Sequence, residues 1–353
     1  MKVKKIIVIF MLLAILLVSA CSKNKGEEPN TEPADPTTKE PAEESVEAAV
    51  LYKEPFTGVM SEEESLSRPV AVMINNHPLA RPQSGLSKAD IVYELITEGN
   101  VTRLLALFQS ELPEQIGPVR SARDYYVQLA KGLDAFYVAH GYSPDALALL
   151  NSGYVDHVNG MSYDGTLFKR SSDRKAPHNS YISNDSIVTA EETTNSSMEI
   201  NKMPSLSFHE SIESAKIGDS TSSVIVQNGT HPDYTSSYKY HEDNGTYDRT
   251  VNGVLTIDHI NDKPIALSNI LVFEANHQTI DNEGRQAIDL ESGGKALLFQ
   301  AGVVKEIEWA NIDGILTPWD NGDPAKLVPG KTWIHVIKTN PGIGSNVSYN
   351  LGE

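Results

Sequence analysis

The N-terminal leader constrains this chain more than any other feature of its sequence. Three lysines among the first five residues precede an apolar run at 6–18, and small residues then lead to Cys21. The run is shorter than the roughly 20 residues of a membrane-spanning helix and has the length of a signal-peptide core. We therefore predict that residues 1–20 are a signal peptide and that Cys21 is lipidated after cleavage. The alternative is an uncleaved anchor helix with an incidental cysteine.

Cys21 is also the only cysteine in the sequence. A sulfur joined to diacylglycerol is a thioether, so the mature protein would have no thiol for cysteine catalysis or for an intrachain disulfide. The body must then be stable through its own core, which is feasible for 353 residues. We predict that this body lies at the extracytoplasmic face of a bacterial cell membrane. Diacylglycerol and palmitate would hold it there, because stable anchoring takes two or more acyl chains.

The formal net charge of −18 limits the partners of the body. Nucleic acid is excluded as a partner because phosphate backbones require a basic surface, and charge alone would not hold the protein on anionic lipid. The segment at 22–47 is rich in proline and glutamate and has no aromatic residue. Such a composition cannot offset its ordering entropy, so we predict a lipidated start and a disordered spacer at 21–62.

Strand and helix patterns alternate in the first half of the body. Four apolar runs have the length of buried strands, at 69–74, 89–95, 104–109 and 134–139. Three other segments have helical spacing or capping signals, at 121–129, 143–150 and 185–196. Strands that alternate with helices are typical of α/β layer structures. We therefore predict a mixed α/β domain at 63–205.

The second half of the body is predicted to be mostly β. Seven short runs have strand-like composition, at 224–226, 238–240, 246–250, 269–275, 295–300, 303–310 and 332–337. Asn-Gly turns separate several of them, which is typical of antiparallel sheets. The predicted fold is thus an α/β N-terminal domain plus a mostly antiparallel, β-rich C-terminal domain at 206–353, with the junction in the serine-rich stretch at 205–223.

The stretch GPVRSARD is the most informative polar segment. Asp124 follows Ser121 at capping-box spacing, so we predict that Ser121 begins a helix. Free N–H groups at a helix start favour an anion, and Arg120 and Arg123 flank the same point. These features predict an anion-binding pocket. The alternative is that both arginines pair with local carboxylates such as Asp124 and Glu114.

A second basic cluster lies in a polar segment without periodicity, which indicates a loop. Its candidate ligand-binding residues are Arg170, Arg174, His178 and Asn179. Loops commonly carry functional residues, and this one could fold over the predicted helix start to complete a basic pocket. Arg103 would add charge to that pocket, because arginine suits a carboxylate or phosphate ligand. The alternative is a solvated loop that only offsets local acidity.

Four further residues are candidates for catalysis, namely Glu94, Glu98, His140 and Ser143. The two glutamates could serve as acid and base, but structural pairing with nearby arginines is the favoured interpretation. His140 and Ser143 lie between a predicted strand and a predicted helix, which is the setting of a nucleophile elbow. A proline directly after Ser143 favours a simple helix cap instead. The sequence has no metal-binding motif, Gly-rich phosphate loop or dinucleotide fingerprint, so we predict neither a metal nor a cofactor.

Several stretches together resemble the YerB-like family of bacterial lipoproteins. The matching segments include RPVAVMINN from Arg68, ADIVYE from Ala89, GPVRSAR from Gly117, RKAPHNSY from Arg174 and GKTWIHV from Gly330. The resemblance spans about 68–337 and implies an N-terminal α/β-type core and a separate β-rich C-terminal region. The family's core is a domain of unknown function, so the resemblance implies no reaction and no catalytic residues.

These observations leave three hypotheses for function. The first is a non-enzymatic binding or regulatory lipoprotein whose pocket binds an anionic group on an envelope glycan, peptide or protein partner. The second is a hydrolase of envelope material with Ser143 or Ser121 as nucleophile. Its base would be His140 or His178, which requires a serine beside a histidine. The third is a protein–protein adaptor, in which the β-rich domain binds the partner and the arginines pair internally.

Overall fold

The structure is a computed structural model that describes residues 50–202, 204 and 206–352. The predicted signal peptide, the predicted lipidation of Cys21 and the predicted spacer up to residue 49 lie outside the described residues. Within the described part of the chain, no helix has both the length and the apolar character needed to span a membrane.

The first half of the described chain alternates strands with helices. The strands are β1 (Tyr52–Lys53), β2 (Met60–Ser61), β3 (Val70–Asn75), β4 (Ile91–Ile96), β5 (Thr102–Phe108), β6 (Gln115–Ile116), β7 (Phe136–Ala139), β8 (His157–Asn159), β9 (Phe168–Arg170) and β10 (Ser180–Ser183). The helices are α1 (Asp124–Gly132), α2 (Pro144–Asn151), α3 (Gly160–Tyr163) and α4 (Asn184–Thr194), with 3-10 helices at Pro78–Ala80 and Leu86–Lys88.

The second half is built almost entirely of strands. Its first strands are β11 (Ser207–Phe208), β12 (Asp219–Ser220), β13 (Ser223–Gln227), β14 (Thr235–His241), β15 (Thr246–Val251), β16 (Val254–Leu255), β17 (Ala266–Leu267), β18 (Asn269–Ala275) and β19 (His277–Thr279). The remaining strands are β20 (Gln286–Ile288), β21 (Gly294–Gln300), β22 (Val303–Ile312), β23 (Ile315–Asp320), β24 (Asp323–Pro324), β25 (Lys326–Leu327), β26 (Thr332–Lys338) and β27 (Val347–Tyr349). The helical segments are α5 (Ile343–Asn346) and 3-10 helices at Glu213–Ala215 and Pro232–Tyr234.

One twelve-stranded sheet contains strands from both halves. Its order is β24-β23-β22-β21-β18-β26-β4-β5-β3-β7-β8, and β12 pairs with β22. β26 lies between β18 and β4 and runs parallel to both, whereas β18, β21, β22 and β23 pair antiparallel. The predicted fold class, an α/β region followed by a mostly antiparallel β region, is confirmed. The boundary at 205 stays a prediction, and the large sheet continues across it.

A second sheet is formed by the C-terminal half alone. Its order is β16-β15-β14-β13-β27, and β17 also pairs with β15. The turn from β15 to β16 is made by Asn252 and Gly253, with φ angles of 48° and 75°. Positive φ at both central residues is the signature of a two-residue hairpin turn, which asparagine and glycine adopt at low cost. The predicted Asn-Gly turn is therefore located between these two strands.

Both faces of the large sheet are covered, which explains the unbroken apolar strands of the first half. All six residues of β3 are buried, and they alternate between two cores. Ala71 and Met73 pack in the core that includes side chains of α1 and α2. Val72 and Ile74 pack in the other core, which includes side chains of α4 and of the second sheet. The sheet is thus the middle layer of the described fold.

Residues 50–62 belong to the fold, which corrects the predicted extent of the spacer. β1 and β2 pair antiparallel, and Phe56 between them is only 1% exposed and lies in a hydrophobic core. The Thr57 carbonyl accepts a hydrogen bond of 2.7 Å from the Gly330 amide. Burial of the Phe56 ring removes apolar area from water and so offsets the entropy cost of ordering residues 50–62. The segment at 22–47 has no aromatic residue that could contribute in this way.

We expect Phe56 to contribute strongly to stability. Phe56→Ala should lower the free energy of unfolding by about 3–5 kcal/mol, the usual cost of truncating a buried phenylalanine. Urea unfolding of the mature chain measures this change. Val59→Ala is the matched control, because Val59 is 45% exposed in the same segment and its truncation should change stability by less than about 0.5 kcal/mol. Equal effects of the two substitutions would contradict this assignment.

Candidate functional site

The candidate site lies where parallel strands of the large sheet end. β3, β7 and β8 are neighbours and run parallel, so their carboxyl ends meet at one edge. In open α/β sheets, this edge is where ligands bind. β3 ends at Asn75 and is followed closely by His77, β7 is followed by His140, and β8 ends at Asn159. Polar side chains therefore gather at a position that the fold class favours for binding.

Arg120 is held at this edge by its backbone. Its amide donates to the Met73 carbonyl of β3 at 2.9 Å, and its own carbonyl accepts from the His140 amide at 2.9 Å. Val119, the residue before Arg120, forms an antiparallel β-bridge with Ile74 of β3. Arg120 thus lies across the ends of β3 and β7, among the residues that follow both strands.

His77 and His178 form a stacked pair beside it, with ring centroids 4.6 Å apart. The Asn75 Oδ1 atom accepts from the His77 amide at 2.9 Å, so the Asn75 Nδ2 atom is the donor to His178 Nδ1 at 2.9 Å. His77 Nδ1 accepts from the Leu79 amide at 3.2 Å. Because both Nδ1 atoms accept, both neutral rings carry their proton on Nε2 and can donate it to a ligand.

The histidines at this edge are held neutral. Burial lowers the pKa of His77, and the charge of Arg120 lowers it further. Burial also lowers the pKa of His178, as do His77 and Arg120. For His140, burial and the charge of Arg170 lower the pKa, with Arg120 contributing in the same direction. Arg120 is therefore within electrostatic reach of all three rings, and we call this group (His77, Arg120, His140 and His178) the Arg120 site.

The Arg120 guanidinium lacks an acidic partner. Within the described part of the chain it forms no salt bridge, and its buried Nε atom has no hydrogen-bond partner. Burial, and then the charge of Arg103, lowers the pKa of Arg120 to about 10, so the group is still charged at neutral pH. Arg120 is thus a partly desolvated cation with unused donors, as the anion-pocket hypothesis requires.

Two other arginines predicted for the pocket are paired with Glu98 instead. Arg103 donates to Glu98 Oε2 at 3.1 Å, and Arg123 Nε donates to Glu98 Oε1 at 2.7 Å. Glu98 is therefore a structural counter-ion, as the favoured interpretation of this carboxylate expected. The internal pairing that the adaptor hypothesis expects holds for Arg103 and Arg123 but not for Arg120.

The basic loop is likewise tied to its surroundings. Arg170 is exposed and pairs with Asp164 at 2.9 Å, and its NH1 group donates to Asn179 Oδ1 at 3.1 Å. Arg174 donates to the carbonyls of Ala80 and Pro82, each at 2.6 Å. The loop does fold onto the strand ends, where it brings His178 into the Arg120 site and Arg170 against the ring of His140.

The predicted helix start at Ser121 is wrong. α1 begins at Asp124, and the residue before it makes no side-chain cap. Ala122 forms a parallel β-bridge with Tyr142. This bridge keeps the backbone before α1 extended until the helix begins. The Ser121 hydroxyl donates instead to the His140 carbonyl at 3.2 Å. Strand-like pairing to the sheet edge therefore overrides the local capping signal.

Ser143 is the helix cap that the favoured interpretation expected. Its hydroxyl accepts from the Ala146 amide at 3.2 Å, and Pro144 occupies the first turn of α2. Neither Ser143 nor Ser121 forms a hydrogen bond with a histidine ring. The serine–histidine contact that the hydrolase hypothesis requires is thus not made by either predicted nucleophile.

The structure does place a serine that we did not single out, Ser180, beside His140. Their Oγ and Nδ1 atoms are 2.7 Å apart. The Arg170 NH2 group donates to His140 Nε2 at 3.1 Å, so the neutral ring carries its proton on Nδ1 and donates it to Ser180. A ring that already donates to the hydroxyl cannot accept its proton, so this contact positions His140 and does not activate Ser180.

Glu94 is buried in a polar network between the two halves. It is 0% exposed and pairs with Arg249 of β15 at 2.9 Å. Trp333 of β26 donates to the same carboxylate at 3.1 Å, and Thr102 donates to it at 2.9 Å. Burial is the largest single influence and raises the pKa of Glu94, but Arg249 and the other neighbouring groups together outweigh it, and the pKa is lowered. Glu94 is therefore an ionised structural residue without access to a substrate.

His335 completes this network as a neutral ring. The Asn228 amide nitrogen donates to Glu94 at 3.2 Å, so its Oδ1 atom accepts from His335 Nδ1 at 3.0 Å. His335 Nε2 then accepts from the Tyr238 hydroxyl at 2.6 Å. Complete burial lowers the pKa of His335 to about 4. Among the described residues, no cluster of histidine and acidic side chains could hold a metal ion.

We predict that His335 makes the fold sensitive to acid. In the unfolded chain this ring is protonated near pH 6.5, whereas the folded pKa is about 4. Above pH 6.5 the ring is neutral in both states, and His335 makes its full contribution to the free energy of unfolding. That contribution decreases by up to about 3 kcal/mol as the pH falls to 4, because protons bind only to the unfolded state.

Urea unfolding across this pH range tests the prediction. The slope of the unfolding free energy against pH is proportional to the number of protons taken up on unfolding. His335→Gln should reduce that number by up to one. His277→Gln is the matched variant, because burial also lowers the pKa of His277 to about 4, and it should remove a separate share of the slope. A His335→Gln profile parallel to that of the wild type would rule out this role.

Comparison with known proteins identifies relatives of this chain. The family described as "Protein of unknown function (DUF3048) N-terminal domain" matches residues 56–197, and the corresponding "C-terminal domain" matches residues 225–334. The "Putative lipoprotein YerB" of Bacillus subtilis (strain 168) is 47% identical over 294 residues, which are 82% of this chain and 88% of that protein.

A solved structure agrees with the sequence comparison. The crystal structure of the YerB protein from Bacillus subtilis has a TM-score of 0.77 to this structure and 45% sequence identity. It covers 85% of this chain, and 99% of its own length is matched. The family resemblance noted in the sequence is confirmed. The chain belongs to the YerB-like DUF3048 family.

Proposed function

We propose that the protein is an envelope lipoprotein whose α/β region binds an anionic group at the Arg120 site. The observation that carries this proposal is the charge of Arg120, which has no carboxylate partner among the described residues. A partly desolvated cation without a partner is costly. An anion would compensate that cost and would use donors that are otherwise unsatisfied.

The neighbouring side chains favour a phosphate or a carboxylate. Arginine offers a planar fork of donors that matches either group, and the stacked His77 and His178 each offer a neutral Nε2–H donor. Because the protein carries a net charge of −18, anion binding must be local. The ligand would therefore be an anionic group of an envelope glycan, peptide or protein partner. The proposal assigns no reaction to the site.

Titration with inorganic phosphate tests the site. We expect Arg120→Gln to weaken phosphate binding at least about tenfold, since a hydrogen bond to a charged group contributes about 1.5–3 kcal/mol. Isothermal titration calorimetry at low ionic strength measures the affinity. The control is Arg285→Gln, because Arg285 pairs with Asp281 on the surface. Unchanged phosphate affinity in Arg120→Gln, or no saturable binding by the wild type, would refute the proposal.

We also propose that diacylglycerol and palmitate on Cys21 attach the protein to the extracytoplasmic face of the cell membrane. The leader sequence supports this proposal, as does the name of the Bacillus subtilis relative as a lipoprotein. Cys21→Ala should abolish incorporation of labelled palmitate and leave an uncleaved precursor or a protein released into the medium. Ser22→Ala is the neighbouring control and should remain acylated. Palmitate incorporation into Cys21→Ala would contradict lipidation at this residue.

A further inference from the structure

A second arginine faces an open apolar cavity of about 400 Å³ in the structure. The apolar side chains that line it are Pro78, Pro82, Val251, Val254, Leu255 and Ile257. Val254 and Leu255 form the two-residue strand β16 and are 70% and 40% exposed. Small-molecule sites commonly combine such walls with a few polar groups and have volumes of about 300–1,000 Å³.

Arg81 is the cationic group of this cavity. Its NH2 group donates to the carbonyls of Asn76 at 2.6 Å and Asp233 at 2.7 Å, and the guanidinium lies 5.8 Å from the centroid of the Tyr234 ring. It forms no salt bridge with any residue that the structure describes. Burial, and then the charge of Arg249, lowers the pKa of Arg81 to about 10, so it is charged at neutral pH.

One carboxylate also lines the cavity, that of Asp233. Its Oδ1 atom accepts from Asn252 Nδ2 at 3.0 Å, and its Oδ2 atom lies 3.5 Å from His231 Nδ1. The His231 Nδ1 atom itself accepts from the Asp233 amide, so it does not donate to Oδ2. The Asp233 carboxylate forms no hydrogen bond or salt bridge with the Arg81 guanidinium, although its charge raises the pKa of Arg81. Among the described residues, Arg81 donates only to backbone carbonyls and to the Asn76 side-chain amide. The cation at the cavity is therefore open to an external anion.

We propose that this cavity binds a small aliphatic carboxylate, whose carboxylate contacts Arg81 and whose chain packs against Val254, Leu255 and the other apolar walls. The planar guanidinium matches a carboxylate, and the apolar walls favour a hydrocarbon chain over a sugar or a bare ion. The site is separate from the proposed anion site at Arg120, because neither Arg120 nor His178 lines the cavity.

Octanoate, below its micelle concentration, is the probe for this site. The wild-type mature protein should bind octanoate in isothermal titration calorimetry, and should bind 1-octanol, which has the same chain without the charge, at least about tenfold more weakly. Val254→Asp should weaken octanoate binding by at least about tenfold, because it places a negative charge on a wall that the chain contacts. Val188→Asp is the matched control, since Val188 is 55% exposed and does not line the cavity.

Arg81→Gln tests the charge directly. It should reduce the affinity for octanoate to that for 1-octanol, and it should weaken phosphate binding at Arg120 far less than Arg120→Gln does. Arg81 also holds two backbone carbonyls, so Val254→Asp keeps the test decisive if Arg81→Gln does not fold. Equal wild-type affinity for octanol and octanoate, or octanoate affinity in Val254→Asp equal to that of Val188→Asp, would overturn the proposal. Phosphate binding in the same variants separates this outcome from a failure of the Arg120 site.

Discussion

The buried ion pair between Glu94 and Arg249 is the interaction on which the described fold most depends. Glu94 lies on β4 of the first half, whereas Arg249 and its neighbour Trp333 lie on strands of the second half. The Arg249 guanidinium also stacks over the Trp333 ring at 4.2 Å. Removing one member would leave a charge in the core without compensation. This requirement couples the second sheet to the large sheet.

The same arrangement explains why the binding candidates lie on the periphery of the core. Glu94 and Glu98 pair with three buried arginines, namely Arg249, Arg103 and Arg123. Arg81, Arg120 and Arg174 are partly exposed and form no salt bridge within the described part of the chain. Arg174 donates to two backbone carbonyls, whereas Arg120 lies at the ends of β3 and β7 and Arg81 lines the apolar cavity. The arginines that pair with these two carboxylates are therefore structural, whereas Arg120 and Arg81, which have no carboxylate partner among the described residues, are candidates for ligand binding.

Much of the fold was predictable because it rests on local patterns. The strand predicted at 269–275 matches β18 in full, and the cap predicted at Ser143 is present, since a following proline acts through local geometry. Errors arose where distant contacts compete with local signals. Ser121 resembles a helix cap, but pairing at the sheet edge keeps the backbone around it extended. Phe56 lies next to a spacer-like sequence, but a distant core buries its ring.

By itself, the sequence determined the single cysteine, the negative net charge and the succession of an α/β region and a β-rich region. These properties depend on composition and on short-range periodicity. The tertiary structure alone decided that Glu94 pairs with Arg249, because the two residues are 155 positions apart in the sequence. It also decided the parallel insertion of β26 between β18 and β4. Long-range pairing of charges and strands follows from spatial proximity, which no local pattern encodes.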